Sequence, residues 1–114
     1  MDIDTRQNSN ICAIKLKGPF KGVEAVRDFD STIESALGSG HINLIIDLSA
    51  MPYIDSSGIG AIVNSLRKAR QIGGRVELVN PSPFAEKTFK MVGILSLFGV
   101  HTSEEDAVAA CESK

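Results

Sequence analysis

The sequence predicts an α/β fold with one mixed sheet, because strand patterns and helix patterns alternate along the chain. Residues 11–17 place apolar side chains at every second position, which is typical of a strand with one buried face. Residues 42–48 form a nearly continuous apolar run, which is typical of a central strand covered on both faces. The 114 residues suit a single domain, 1–114, with a core of ordinary size.

The chain begins with a predicted antiparallel hairpin. Residues 3–7 form a weak strand candidate, and the Asn-Ser-Asn cluster at 8–10 is typical of a turn. Cys12, Ile14 and Leu16 then share one face of the second strand. The two segments are close enough along the chain to pair through a short turn.

Two amphipathic helices are predicted next. In the first, the apolar positions are Val23, Val26, Phe29, Ile33, Ala36 and Leu37, and a Gly-Ser-Gly segment ends it. In the second, they are Ile59, Ile62, Val63, Leu66 and Ala69, and a Gly-Gly pair ends it. The alternating residues 75–79 predict a strand after it, so this part should form a parallel βαβ unit with a right-handed crossover.

Ser82 and Pro83 predict the start of a third helix, with a capping hydroxyl followed by proline at the first helical position. We expect Phe84, Thr88, Met91 and Val92 to line its inner face, and Phe89 to lie in or near the core. Residues 95–100 suggest a last strand. Ser103 and three acidic residues open a terminal helix that reaches Ala110, which gives four to five helices in all.

Composition and charge exclude several classes of function. The 14 acidic residues outnumber the 12 basic ones, so no basic field is present to hold nucleic acid. The acidic start does not resemble a signal peptide, and residues 44–46 fall far short of the ~20 apolar residues of a membrane helix. Cys12 and Cys111 lack metal-type spacing, which predicts reduced, mostly buried thiols. We therefore expect a cytoplasmic protein without metal, cofactor or direct membrane insertion.

The candidate site lies where the central strand leads into the second helix. Asp55 is the natural cap, which places Ser56 and Ser57 in the first turn, where backbone N–H groups lack partners and favour an anion. A phosphate there would add about −1.5 to −2 charges without disturbing the fold. Gly58 and Gly60 offer no side-chain bulk, so another protein could approach closely. Aspartate and serine are also common in ordinary helix starts, so a purely structural cap remains open.

Residues 42–49, 53–60 and 70–74 resemble the STAS domain of bacterial anti-sigma factor antagonists, and residues 80–83 and 91–94 also fit. The resemblance implies a mixed sheet that begins with a hairpin. It also implies that the residue after the aspartate, Ser56, accepts phosphate, with Ser57 as the second choice.

The resemblance also implies partners. An anti-sigma factor with serine kinase activity would add the phosphate, and a phosphatase would remove it. The unmodified chain would bind the anti-sigma factor and so release a sigma factor. Residues 18–22 depart from the family, because Gly-Pro-Phe-Lys-Gly stands where a Gly-Glu-Leu-Asp type of segment is common.

The expected partner-binding surface surrounds the candidate serine. Its residues are Met51, Pro52, Tyr53, Ile54, Ile59, Arg67 and Arg70, and Phe20 borders it. Arg67, Lys68 and Arg70 form a basic cluster that is either a solvated face or a docking surface for an acidic partner.

Other functions have weaker support in the sequence. A catalytic serine needs a base, but His41 and His101 share no local motif with Ser56, and the Gly-x-Ser-x-Gly elbow is absent. The glycine-rich nucleotide motifs are missing as well. The prediction is therefore a binding protein and not an enzyme. The alternative that stays open is a STAS accessory subunit of a membrane lipid transporter, or of another signalling assembly, without a phosphate cycle.

Overall fold

A computed structural model describes residues 1–112 and contains a five-stranded sheet with strand order β1-β2-β3-β4-β5. The strands are β1 (Asp2–Asn8), β2 (Ile11–Lys17), β3 (Asn43–Ala50), β4 (Arg75–Val79) and β5 (Gly99–His101). The first two strands are antiparallel, and each later pair of neighbours is parallel. The predicted mixed sheet with its initial hairpin is confirmed.

Helices connect the parallel strands. They are α1 (Gly22–Gly38), α2 (Ser56–Gln71), α3 (Pro83–Met91) and α4 (Glu104–Glu112), and a short 3-10 helix spans Leu95–Leu97. The predicted strand at 95–100 is therefore divided between this 3-10 turn and β5. Within residues 1–112, no helix is long and apolar enough to cross a membrane.

The core has two parts because helices cover both faces of the sheet. Leu44, Ile46 and Leu48 of β3 belong to the larger cluster, which includes buried residues of α1, α2 and α3. Ile45 belongs to the smaller cluster together with Ala107 of α4. This two-sided burial explains the uninterrupted apolar run at residues 44–46 within β3.

The inner faces of two helices differ from the prediction. In α1, Val23 is 72% exposed, and Ala25 contributes to the core instead. In α3, Phe84 and Met91 are exposed, as is Val92 directly after the helix, whereas Ala85 and Phe89 are fully buried. Residues 85 and 89 lie one helical turn apart on one face, so the rotation of α3 about its axis places the predicted apolar stripe outside. The expectation that Phe84 and Met91 belong to the core is therefore wrong.

Both cysteines follow the prediction. Cys12 in β2 and Cys111 in α4 are free thiols, and both are buried. Burial raises the pKa of each thiol, that of Cys111 to about 11.

Candidate functional site

The start of α2 is organised by the carboxylate of Asp55. Its extended backbone lies just outside the helix, with φ −97° and ψ −179°, and its Oδ1 accepts the backbone N–H of Gly58 at 3.0 Å. The Ser57 hydroxyl donates to the same oxygen at 2.6 Å. Asp55 is therefore the N-cap of α2, as its place in the sequence suggests.

The second oxygen of Asp55 reaches a different helix. The backbone N–H of Gly22, at the start of α1, donates to Oδ2 at 3.2 Å. Lys21, the N-cap residue of α1, makes no capping hydrogen bond with its side chain. The hydrogen bond from Ser57, followed by that from Gly58, lowers the pKa of Asp55, because these bonds favour the charged carboxylate.

The loop between β3 and α2 is braced on two sides. Phe20 donates its N–H to the carbonyl of Tyr53 at 2.8 Å, and its own carbonyl accepts the N–H of Asp55 at 3.1 Å. On the other side, the Ser82 hydroxyl at the start of α3 donates to the carbonyl of Met51 at 3.0 Å. These bonds fix the loop relative to both α1 and α3.

The two serines of the first turn differ in their hydrogen bonding. Both are exposed. The Ser57 hydroxyl is held by Asp55, whereas no hydrogen bond to the Ser56 hydroxyl is found among residues 1–112. Ser56 thus presents an exposed hydroxyl at the first residue of α2, where the helix dipole favours a negative charge.

Gly58 and Gly60 differ in the space that surrounds their Cα atoms. A Cβ on Gly58 would lie 2.8 Å from Ile54 Cγ1 and 2.9 Å from the carbonyl oxygen of Phe20. A Cβ on Gly60 would meet no atom within 4 Å. Gly58 therefore serves internal packing, which corrects the expectation that it leaves room for a partner, while Gly60 leaves its surface open.

The expected partner-binding residues separate into two groups. Met51 and Ile54 are 0% and 3% exposed, so these two side chains cannot contact a partner directly, and Phe20 is likewise buried. Their apolar side chains instead anchor the loop in the core. The other expected residues are exposed or half-buried: Pro52, Tyr53, Ile59, Arg67 and Arg70.

The three residues of the basic cluster on α2 have different partners. Lys68 forms an ion pair with Glu34 of α1 at 3.0 Å. Arg67 binds the side-chain oxygen of Asn64, and Arg70 donates to the carbonyl of Leu97 at 3.3 Å. Within residues 1–112, neither arginine has a carboxylate within ion-pair distance, so both remain available to an acidic group.

Sequence reasoning missed one buried charged group away from this site. Glu77 of β4 is 4% exposed. Its carboxylate contacts His101 Nε2 at 2.6 Å and Arg75 Nε at 3.1 Å. The alternation of residues 75–79 could have placed Glu77 and Arg75 on the same face, but the contact with β5 depends on the folded sheet. His101 therefore contacts the side chain of a residue that lies 24 positions earlier in the chain.

The STAS domain family matches residues 2–107 of this sequence. The chain belongs to the STAS domain family. A relative from Lysinibacillus sphaericus, named an anti-sigma F factor antagonist, is 33% identical over 85 residues. That alignment covers 74% of this chain and 72% of the relative.

Solved structures support the same assignment of this STAS domain. The unphosphorylated form of the anti-sigma factor antagonist SpoIIAA has a TM-score of 0.85 and 25% identity, with 97% of this chain and 96% of that chain covered. The phosphorylated form of the Bacillus cell fate determinant SpoIIAA has a TM-score of 0.77 and 25% identity, with 96% and 98% covered. The resemblance to anti-sigma factor antagonists inferred from residues 42–94 is thereby confirmed.

Proposed function

We propose that this STAS domain is a phosphorylation-controlled antagonist of an anti-sigma factor. Unmodified, it binds an anti-sigma factor that has serine kinase activity, and so releases a sigma factor in the bacterial cytoplasm. Phosphate on Ser56 ends the binding, and a phosphatase restores it. The names of the relatives and the solved pair of SpoIIAA forms support this role.

The observation that carries the proposal is the difference between the two neighbouring serines. Ser56 is exposed and its hydroxyl has no hydrogen-bond partner among the described residues, whereas the Ser57 hydroxyl is occupied by Asp55 at 2.6 Å. A kinase can therefore reach the Ser56 oxygen without breaking the cap. Phosphorylation of Ser57 would break its hydrogen bond to Asp55 and place the phosphate next to the Asp55 carboxylate.

The charge of the phosphate accounts for release of the partner. A phosphoserine carries about −1.5 to −2 charges at neutral pH. Burying such a charge in an interface without a counter-charge costs several kcal/mol, and each ~1.4 kcal/mol changes affinity about tenfold. We therefore expect phosphorylation to weaken the complex by at least about 100-fold, while the start of α2 tolerates the anion.

The test begins with kinase assays on matched serine variants. The purified chain, Ser56→Ala and Ser57→Ala are incubated with ATP and the anti-sigma factor kinase encoded nearest to this chain in its genome. Peptide mass spectrometry then locates the phosphate. The proposal expects modification of the parent chain and Ser57→Ala at residue 56, and none of Ser56→Ala. Phosphate at another residue, or none on the parent chain, would contradict it.

Binding and stability are then measured separately. Ser56→Asp should weaken the complex with the same anti-sigma factor, measured by calorimetry without ATP, and should leave the thermal unfolding midpoint nearly unchanged. Ser57→Asp is the control for a charge one residue away. Equal affinities of the parent chain and Ser56→Asp would remove the electrostatic explanation.

A further inference from the structure

An apolar strip runs along the outside of α3. Phe84 is 44% exposed, Met91 is 78% exposed and Val92 is 52% exposed. The ring of Phe84 contacts the ring of Tyr53, which is 43% exposed, with their centroids 5.3 Å apart. We call these four residues the α3 strip. Clustered large apolar side chains at a surface are typical of a protein interface.

The α3 strip begins beside the loop that leads to Ser56. Tyr53 lies three residues before Ser56. The Ser82 hydroxyl donates to the carbonyl of Met51 and accepts the N–H of Ala85 at 3.2 Å, so one side chain caps α3 and ties it to that loop. The aromatic pair therefore has a fixed position relative to the first turn of α2.

Two lysines accompany the strip on α3. Lys87 and Lys90 are both exposed, and neither has a carboxylate within ion-pair distance among residues 1–112. Arg67 and Arg70 on α2 are also exposed, and they too have no carboxylate within ion-pair distance in this part of the chain. A surface that combines apolar side chains with unpaired cations is complementary to an apolar surface rimmed by carboxylates.

We infer that the α3 strip is a second anchor for the partner that covers Ser56, and that this partner presents an apolar surface rimmed by carboxylates. The inference rests on the proposed function and adds the chemistry of the partner to it. It also gives phosphorylation a second effect, because a phosphate on Ser56 would repel the carboxylates that Lys87 and Lys90 attract. The strip contributes affinity for the partner, and the phosphate charge on Ser56 prevents the complex from forming.

The experiment measures affinity for the anti-sigma factor kinase that modifies Ser56, with unphosphorylated chain and no ATP. Truncation of a buried aromatic anchor commonly weakens a complex about 30-fold. We expect losses of roughly that size for Phe84→Ala and about tenfold for Met91→Ala. Val100→Ala is the matched control, because Val100 is a comparably exposed apolar residue, at 41%, on β5. Circular dichroism of each variant establishes that it is folded.

The contribution of the two lysine charges to binding is tested with neutral substitutions. Lys87→Gln combined with Lys90→Gln should weaken the complex several-fold at low salt and reduce its salt dependence. Lys15→Gln, which removes an exposed lysine from β2, should change neither.

The outcomes separate this inference from the proposed function. Phosphorylation of Ser56 together with parent-like affinity of Phe84→Ala and Met91→Ala would overturn the α3 strip and leave the phosphate switch standing. Failure of the parent chain to bind the kinase would overturn both. Sedimentation that shows a dimer of this chain lost in Phe84→Ala, or binding to anionic vesicles that requires Lys87 and Lys90, would assign the strip to another occupant and also overturn the inference.

Discussion

Asp55 and Gly22 are joined by a hydrogen bond in which the backbone N–H of Gly22 donates to the Asp55 carboxylate at 3.2 Å. The two residues are 33 positions apart, yet the bond places the starts of α1 and α2 on one side chain. The residue that positions Ser56 therefore also orders the β2–α1 loop. We conclude that Lys21 needs no capping side chain because Asp55 supplies the acceptor from another part of the chain.

Replacing Asp55 by Asn should lower the thermal unfolding midpoint at pH 7. The amide keeps an oxygen but loses the charge that the Gly58 N–H and the Ser57 hydroxyl stabilise. Asp28→Asn is the control, since Asp28 is exposed on α1 and its side chain caps no helix. A midpoint of Asp55→Asn equal to that of the parent chain would show that the negative charge at the cap does not contribute to stability.

The effect of Asp55→Asn should depend on pH. Because the pKa of Asp55 is lowered in the folded protein, its stabilising contribution is complete above the ordinary carboxyl pKa of about 4. It is lost as the pH falls through the lower, folded-state value. The difference in midpoint between the parent chain and the variant should thus stay constant from about pH 7 to 5 and shrink below about pH 4. A difference that persists at the lowest pH would indicate lost geometry and not lost charge.

Alanine at Gly58 and at Gly60 should have opposite effects on the free energy of unfolding. At Gly58 the new Cβ meets Ile54 and the Phe20 backbone below 3.0 Å, so we expect a loss of about 1–3 kcal/mol. At Gly60 the Cβ enters open space within a helix, where alanine is favoured over glycine by roughly 0.5–1 kcal/mol. Urea denaturation of both variants tests the pair. Equal losses would contradict the packing role of Gly58.

Local patterns in the sequence were sufficient for the elements and for the cap. Residues 42–48 indicated a central strand, and Ser82 with Pro83 indicated the start of α3, both of which the structure contains. These features depend on neighbours along the chain, whose preferences are visible in the sequence itself. The position of Asp55 directly before α2 could be predicted for the same reason.

The rotation of α3 could not be predicted in the same way. Phe84 and Met91 have helical spacing, but so do Ala85 and Phe89, and the latter two face the core. Which set is buried depends on how the helix rests against the sheet, which is a property of the assembled fold. The bond between Gly22 and Asp55 was missed for the same reason, because no local pattern records a contact over 33 residues.

Removing the Glu77 carboxylate should destabilise the protein more than removing a surface acid. Glu77 is buried between His101 and Arg75, so Glu77→Ala removes an acceptor that both side chains contact and should cost about 1–3 kcal/mol. Glu34→Ala is the matched control, because its ion pair with Lys68 is largely exposed and should contribute less than about 1 kcal/mol. Urea denaturation at pH 7 compares the two. Similar losses would show that the buried cluster contributes no more than a surface pair.

The buried thiols should resist modification in the folded protein, because the thiolate is the reactive form. With a pKa of about 11, Cys111 is thiolate to only ~10⁻³ at pH 8, and burial also raises the pKa of Cys12. A colorimetric thiol reagent at pH 8 should therefore react far more slowly with native protein than with protein in urea. Cys111 should react first, since it lies in the last turn of α4, whereas Cys12 lies within β2. Cys12→Ala and Cys111→Ala separate the two rates, and a native rate close to that in urea for either variant would contradict the burial of the remaining thiol.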